Sequence, residues 1–286
     1  MSEPEVFSLI TEDNIKLAAN LQRAKTQRKN ATIIYFHGGG LLYGVSDDLP
    51  ALYINKFLDA GYDFLALDYP LAPEAKIDQI LQSALALLCF YLQNTASVFK
   101  LNNNKYVLFG RSAGAYLCFM LCAQLINSKA LLPAAIISLY GYTRLDEVQF
   151  NTPSKHYNKL ASIPAASIEN MIADSPVTYG PLAARFFLYV KARQDGTWTN
   201  HLCGPEDPAK YSLTDAMLRS FPPTILAAAT LDPDVPYRMS KSLMKLIPDS
   251  HLLTIYKEVH DFDRDLNDAS GRVTYDEIIA WLEARI

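Results

Sequence analysis

Lys105-Tyr106-Val107-Leu108-Phe109-Gly110-Arg111-Ser112-Ala113-Gly114 is the stretch whose reading decides the fold. Its first half is a short apolar run of the kind that forms a buried strand, and a helical pattern follows from Ala113 to Ile126. Strand and helix meet at Ser112. A sharp strand-to-helix turn lifts a serine hydroxyl clear of a sheet, and Gly110 and Gly114 remove side chains that would clash in so tight a bend. The helix amino terminus then stabilises negative charge beside that hydroxyl. Glycine makes up about 7% of average sequence, so the five-residue pattern alone is weak. Its place between strand and helix carries the weight.

Outward from this turn, similar short runs recur at Thr32–Phe36, Asp63–Leu67, Ala134–Leu139, Thr224–Ala229 and His251–Tyr256, separated by helix-length segments. Such alternation predicts an α/β fold with a mostly parallel central sheet and helices on both faces. Helices are expected at Ile77–Phe99, Ala113–Ile126, Tyr237–Leu246 and Tyr275–Arg285. Two β-like stretches, Val6–Ile10 and Ile15–Leu21, flank Glu12-Asp13-Asn14 and predict an opening hairpin. Between Gly141 and Pro222 about 80 residues intervene where a crossover needs only a dozen or more. The expectation is one domain over 1–286, with 143–221 inserted as a helical cap. Phe150, Tyr157, Tyr179, Phe186, Phe187, Tyr189, Trp198 and Tyr211 fall in that insertion, as an apolar cap underside would require.

Half the residues are hydrophobic and a fifth are charged, which supplies a large core and excludes disorder on composition. The net charge of −4 comes from interspersed acids and bases, so no nucleic-acid footprint is present. Small molecules are the expected partners. Met1-Ser2-Glu3-Pro4-Glu5 lacks the basic and apolar segments of a secretory signal, and Ala84–Leu92 is far short of the roughly 20 residues that span a bilayer. The expected location is cytoplasmic, without a membrane span. Cys89, Cys118, Cys122 and Cys203 lack Cys-x-x-Cys spacing and read as reduced thiols. Cys118 and Cys122 share a helix face, but core packing is the better reading, since no acid or histidine stands at ligand spacing. No metal or organic cofactor is implied.

His37-Gly38-Gly39-Gly40 closes the strand Thr32–Phe36 and offers backbone amides at the sheet's carboxyl edge. Such a loop suits an oxyanion hole made by the amides of Gly38, Gly39 and Gly40 with that of Ala113. Three glycines also suit phosphate, but the spacings of both common phosphate loops are absent.

His37-Gly38-Gly39-Gly40, Asp68-Tyr69-Pro70-Leu71-Ala72-Pro73-Glu74 and the Ser112 turn, in that order, resemble the hormone-sensitive-lipase family of esterases. The likeness covers Ala31–Tyr142 and Pro222–Ile286, with Pro70 standing where the family usually has arginine. It implies the α/β-hydrolase fold and a serine nucleophile, and it marks Asp68 and Glu74 as scaffold and His37 as a loop organiser. A serine hydroxyl needs an imidazole to take its proton and a carboxylate to orient that imidazole. In this fold the chain order is nucleophile, acid, histidine. His37 precedes the serine, His156 and His201 fall in the insertion, and His251 begins a strand. His260 is therefore the expected base, with activity declining as pH falls through roughly 6.5. Two acids follow Thr224–Ala229, namely Asp232 and Asp234. The resemblance favours Asp232, in an Asp-x-x-Val-Pro pattern, and leaves Asp234 as a helix-start residue.

The expected activity is hydrolysis of short- to medium-chain carboxylic esters by Ser112, Asp232 and His260. Alternatives are an amidase or peptidase, arylformamidase-like or prolyl-peptidase-like, and a non-catalytic ligand-binding protein of the same fold. Acyl and alcohol specificity and oligomeric state are left open.

Overall fold

The computed structural model describes residues 3–25, 27–103 and 105–286. Met1 and Ser2, part of the acidic start from which no signal peptide is expected, lie outside the described residues. The strands are β1 (Glu5–Ile10), β2 (Lys16–Gln22), β3 (Ala31–Phe36), β4 (Asp63–Leu67), β5 (Lys105–Arg111), β6 (Ala135–Leu139), β7 (Thr224–Ala229) and β8 (Ser250–Ile255). They form an 8-stranded sheet in the order β1-β2-β4-β3-β5-β6-β7-β8. Pairing from β4 to β8 is parallel throughout, while β2 runs antiparallel to both β1 and β4. This is the mostly parallel sheet expected from sequence, with the opening hairpin as its antiparallel edge.

Helices α1 (Ala51–Asp59), α2 (Ile77–Asn94), α3 (Ala113–Ser128), α4 (Ala165–Glu169), α5 (Leu182–Asp195), α6 (Trp198–Cys203), α7 (Asp215–Leu218), α8 (Tyr237–Leu246) and α9 (Ala269–Glu283) complete the chain. Successive strand residues point to opposite faces. Thus Ile34, Leu108 and Leu226 pack with α2, α3 and α8, whereas Ile33, Val107, Phe109 and Ile225 pack with α1 and α9. On the second face the rings of Tyr53 and Tyr275 stack at 4.0 Å and clamp α1 to α9.

Some boundaries differ from expectation for local reasons. Helix α2 stops at Asn94, because the Asn94 amide and the Thr95 hydroxyl each donate to a last-turn carbonyl at 2.8 Å. Phe99 then folds back against Tyr91 at 5.0 Å, where it continues the apolar pattern without being helical. Helix α9 begins at Ala269, six residues ahead of Tyr275, because Asp268 accepts from the Ser270 amide at 2.7 Å. Helix α1 is not among the helices expected from sequence; its buried Tyr53, Ile54, Phe57 and Leu58 nonetheless carry helical spacing.

The chain leaves β3 toward β4 and leaves β5 in the opposite direction toward β6, so β3 and β5 flank a reversal of strand order. Crevices form outside the carboxyl ends of strands at such a point. The register pairs Phe36 with Gly110, which brings His37-Gly38 beside Arg111-Ser112. Among the described residues, no helix is long and apolar enough to cross a membrane.

Candidate active site

Ser112 sits between β5 and α3 with φ 51° and ψ −116°. A left-handed backbone costs a non-glycine residue roughly 1–3 kcal/mol. It is held by three backbone bonds: the Ser112 amide donates to Leu139 O at 2.9 Å, and its carbonyl accepts from Ala115 and Tyr116 at 3.0 and 3.2 Å. Close approach explains the flanking glycines. A Cβ on Gly114 would stand 2.0 Å from Phe36 O, and one on Gly110 would stand 2.2 Å from Ala115 N. Both atoms are backbone, so neither glycine can be replaced without moving the turn.

Ser112 Oγ donates to His260 Nε2 at 2.9 Å, and His260 Nδ1 donates to Asp232 Oδ2 at 2.7 Å. The other carboxylate oxygen of Asp232 accepts the amides of Asp234 and Val235 at 2.8 and 2.9 Å. The acid is therefore fixed by its own turn and has one oxygen left for histidine. Burial pushes the His260 imidazole down, but the charge and hydrogen bond of Asp232, aided by Asp234 and Asp261, raise it to about 9. The pH range expected for activity therefore moves upward. A base must be neutral, so we expect log kcat/KM to climb with pH until about 9; a plateau already reached at pH 6.5 would contradict it. The sign for stability is opposite. With the folded value raised above 6.5, the pair stabilises fully below that pH and its contribution is lost as pH rises through about 9.

Gly38, Gly39 and Gly40 line the cavity that holds Ser112 and His260. A Cβ on Gly38 would lie 3.5 Å from the Ser112 Cβ, so the loop sits directly on the serine. The carbonyls of this loop are tied to protein. Tyr69 donates to His37 O at 2.9 Å, Gly39 O accepts from Leu42 and Tyr43, and Trp198 Nε1 donates to Gly40 O at 2.8 Å. Ala113, the fourth expected donor, is the first residue of α3 and follows the serine directly.

Other sequence candidates take supporting places. His37 is buried and stacked on Tyr69 at 4.2 Å; burial holds its imidazole below the ordinary range, so it organises the loop in neutral form. Asp68 accepts the Ala18 amide at 3.2 Å and fastens β2 to the end of β4. Glu74 receives two donors of Arg185, at 2.8 and 2.7 Å, which joins the Asp68–Glu74 stretch to α5. His156 and His201 do not line the cavity, and His251 is exposed on β8. Cys118 and Cys122 are fully buried core residues.

Asp234 is not a helix-start residue. Its carboxylate is buried, accepts the hydroxyls of Tyr157 and Tyr189 at 3.0 and 2.7 Å, and pairs with Arg193 at 3.2 Å. Burial pushes this acid up, but Arg193, His260 and the hydroxyls of Tyr189 and Tyr157 together hold Asp234 below its ordinary value. The Arg193 guanidinium lies over Phe150 and Trp198 at 5.4 and 5.6 Å. Phe150, Tyr157, Tyr189 and Trp198, four of the eight insertion aromatics named from sequence, are thus spent around one ion pair. Tyr189 is the only one of the eight among the cavity's lining residues, while Tyr179 and Phe187 are exposed. Arg193 carried no local signal in sequence.

A serine, histidine and aspartate in hydrogen-bonded series at the carboxyl ends of a parallel sheet define the alpha/beta hydrolase class, and the chain belongs to that family, which matches residues 33–263. It is a hydrolase family related to esterases and lipases. The chain is 27% identical over 118 residues to hormone-sensitive lipase of Homo sapiens, covering 41% of this chain and 11% of that protein. It is 33% identical over 87 residues to acetyl esterase of Salmonella paratyphi B, covering 30% and 27%. The matches therefore span only a minor part of these curated relatives. A Staphylococcus aureus Mu50 protein of unknown function has a similar structure, with a TM-score of 0.88, 31% identity and 98% and 99% of the two chains covered. Carboxyl esterase 2 of Tuber melanosporum shares the fold, at a TM-score of 0.72 and 19% identity over 99% and 87% of the chains.

Proposed function

We propose that this protein is a serine carboxylesterase acting on short- to medium-chain, uncharged carboxylic esters. The observation that carries the reading is the hydrogen-bonded series Ser112–His260–Asp232, opening on a cavity walled by Gly38, Gly39 and Gly40. His260 takes the Ser112 proton as Oγ attacks the ester carbonyl, and Asp232 stabilises the imidazolium that forms. Developing charge on the carbonyl oxygen meets the amides of Ala113 and the glycine loop, at the positive end of α3. His260 then returns its proton to the leaving alkoxide, and the same imidazole activates water to release the acid. Every proton moves between groups on this chain, substrate and water.

Cavity size and charge support the substrate class. The volume is about 220 Å³, below the roughly 300–1,000 Å³ of sites for drug-sized ligands. Its charged lining residues have partners within the protein: Arg111 with Asp48, Arg264 with Asp261, and Asp234 with Arg193. A charged ester would compete with those pairs. Residues 143–221 serve in this reading as a cap, because Pro181, Leu182 and Tyr189 contribute to the cavity wall.

On p-nitrophenyl esters of graded length, kcat/KM should peak at two to four acyl carbons. It should fall by about 100-fold by ten carbons, because a chain of that length does not fit so small a cavity. The hemisuccinate should be a poorer substrate than the uncharged butyrate. Preference for long chains, for the anionic ester or for an anilide of the same acyl group would overturn the assignment.

A further inference from the structure

Arg111 stands immediately before Ser112, and its three guanidinium nitrogens bind three different residues. Nε donates to the Tyr140 hydroxyl at 2.7 Å, Nη1 to Asp48 at 3.3 Å and Nη2 to Asp263 at 3.1 Å. Each partner comes from a separate part of the site. Asp48 lies in the chain beyond Gly38–Gly40, Tyr140 follows β6, and Asp263 is three residues after His260.

These partners are held in turn. Tyr35 donates to Asp48 at 2.5 Å, while Tyr140 and Tyr275 donate to the two oxygens of Asp263 at 2.8 and 2.9 Å. The side chains of Arg111 and Asp263 are 8% and 0% exposed, so solvent screens their attraction little. Tyr140 also sets its ring 4.6 Å from that of His260 and its edge against Phe262 at 5.5 Å. Two carboxylates more than balance the single guanidinium. Its charge is engaged within the protein rather than held ready for substrate.

We propose that Arg111 is a positioning residue: one guanidinium keys the serine turn, the loop beyond the glycines and the histidine loop to one another. The proposal rests on the reading of Ser112 as nucleophile. The three loops leave different strands, and among the described residues no regular hydrogen-bond ladder spaces them. Misplacing reacting groups by about 1 Å costs on the order of 100-fold in rate. A buried cation with three partners supplies the missing constraint, and the neighbouring cavity wall is where it must act.

Arg111→Ala and Arg111→Lys test this, with kcat, KM, melting and fluorophosphonate labelling of Ser112 measured for each. Arg111→Ala is expected to lose roughly 100-fold in kcat and in labelling rate with KM held within about twofold. Because Arg111 lines the cavity, millimolar methylguanidinium should restore part of that kcat and none of the activity of Ser112→Ala. Arg111→Lys keeps the buried charge and should melt near the parent, yet one ammonium cannot meet all three partners, so kcat should still fall by about tenfold or more. If Arg111→Ala does not fold, the Lys variant decides. Its kcat equal to the parent's, or a rise in KM as the only change, would overturn the proposal. Parent protein that takes no label at Ser112 would overturn the esterase reading itself, whereas labelled parent with unaffected Arg111 variants overturns this inference alone.

Discussion

Ser112→Ala is expected to lower kcat/KM on p-nitrophenyl acetate by roughly 100,000-fold, leaving only the slow turnover that an oxyanion loop supports without a nucleophile. The melting temperature should move by no more than about 2 °C. The reason lies in what the turn uses Ser112 for. Its amide and carbonyl carry the three backbone bonds that hold φ at 51°, and alanine keeps all three. Alanine also suffers the same backbone strain as serine. The side chain contributes one bond, to His260, whose loss costs about 1 kcal/mol. Stability and activity therefore separate cleanly, and fluorophosphonate labelling should vanish with the hydroxyl. A variant that kept more than a hundredth of the parent's activity would remove the mechanism.

The second large effect is a ranking. Asp232→Asn should lower kcat by about 10,000-fold, far more than Asp234→Asn, although only one residue separates them. Asp232 gives one oxygen to the amides of Asp234 and Val235 and the other to His260. An asparagine keeps its carbonyl on the two amides, which turns its NH2 toward His260 Nδ1. Two donors then face each other, and relief comes only by moving the imidazole proton to Nε2. That nitrogen can no longer accept from Ser112.

Asp234→Asn leaves this geometry intact and instead strips the counter-charge from buried Arg193, a loss of about 3–5 kcal/mol that should lower the melt by roughly 6–20 °C. It should also move the acid limb of the pH profile down, since Asp234 helps to raise His260. Crystallisation is unnecessary for the comparison; kcat, a pH profile and a melt for each variant suffice. The opposite ranking in kcat would make Asp234 the acid.

Both predictions use residues that sequence reading had already placed, and the reason is local. The Ser112 turn and the glycine loop are each written in a few adjacent residues whose backbone demands are recognisable, whereas Asp232 was singled out from Asp234 by the family resemblance. Gly110 and Gly114 announce a bend too tight for side chains, and the strand and helix on either side have their own periodicities. The parallel sheet was legible for the same reason, whereas the boundaries of helices such as α2 and α9 depended on one or two side chains at their ends.

Residues acting across the fold left no such trace. Arg111 reads as an unspecified position within the serine pattern until Asp48, Tyr140 and Asp263 converge on it. Arg193 carries no local signal, and Asp234 reads as a helix start, until the chain brings them together beneath four aromatic rings. The same holds for His260, which its sequence position makes the expected base but whose proton affinity depends on three carboxylates around it. Local pattern determines where the chain bends and which groups stand at strand ends, because backbone sterics act over a few residues. How strongly those groups are charged, and what holds them in register, follows from contacts between segments tens to more than a hundred residues apart, where burial removes the solvent that would otherwise screen them.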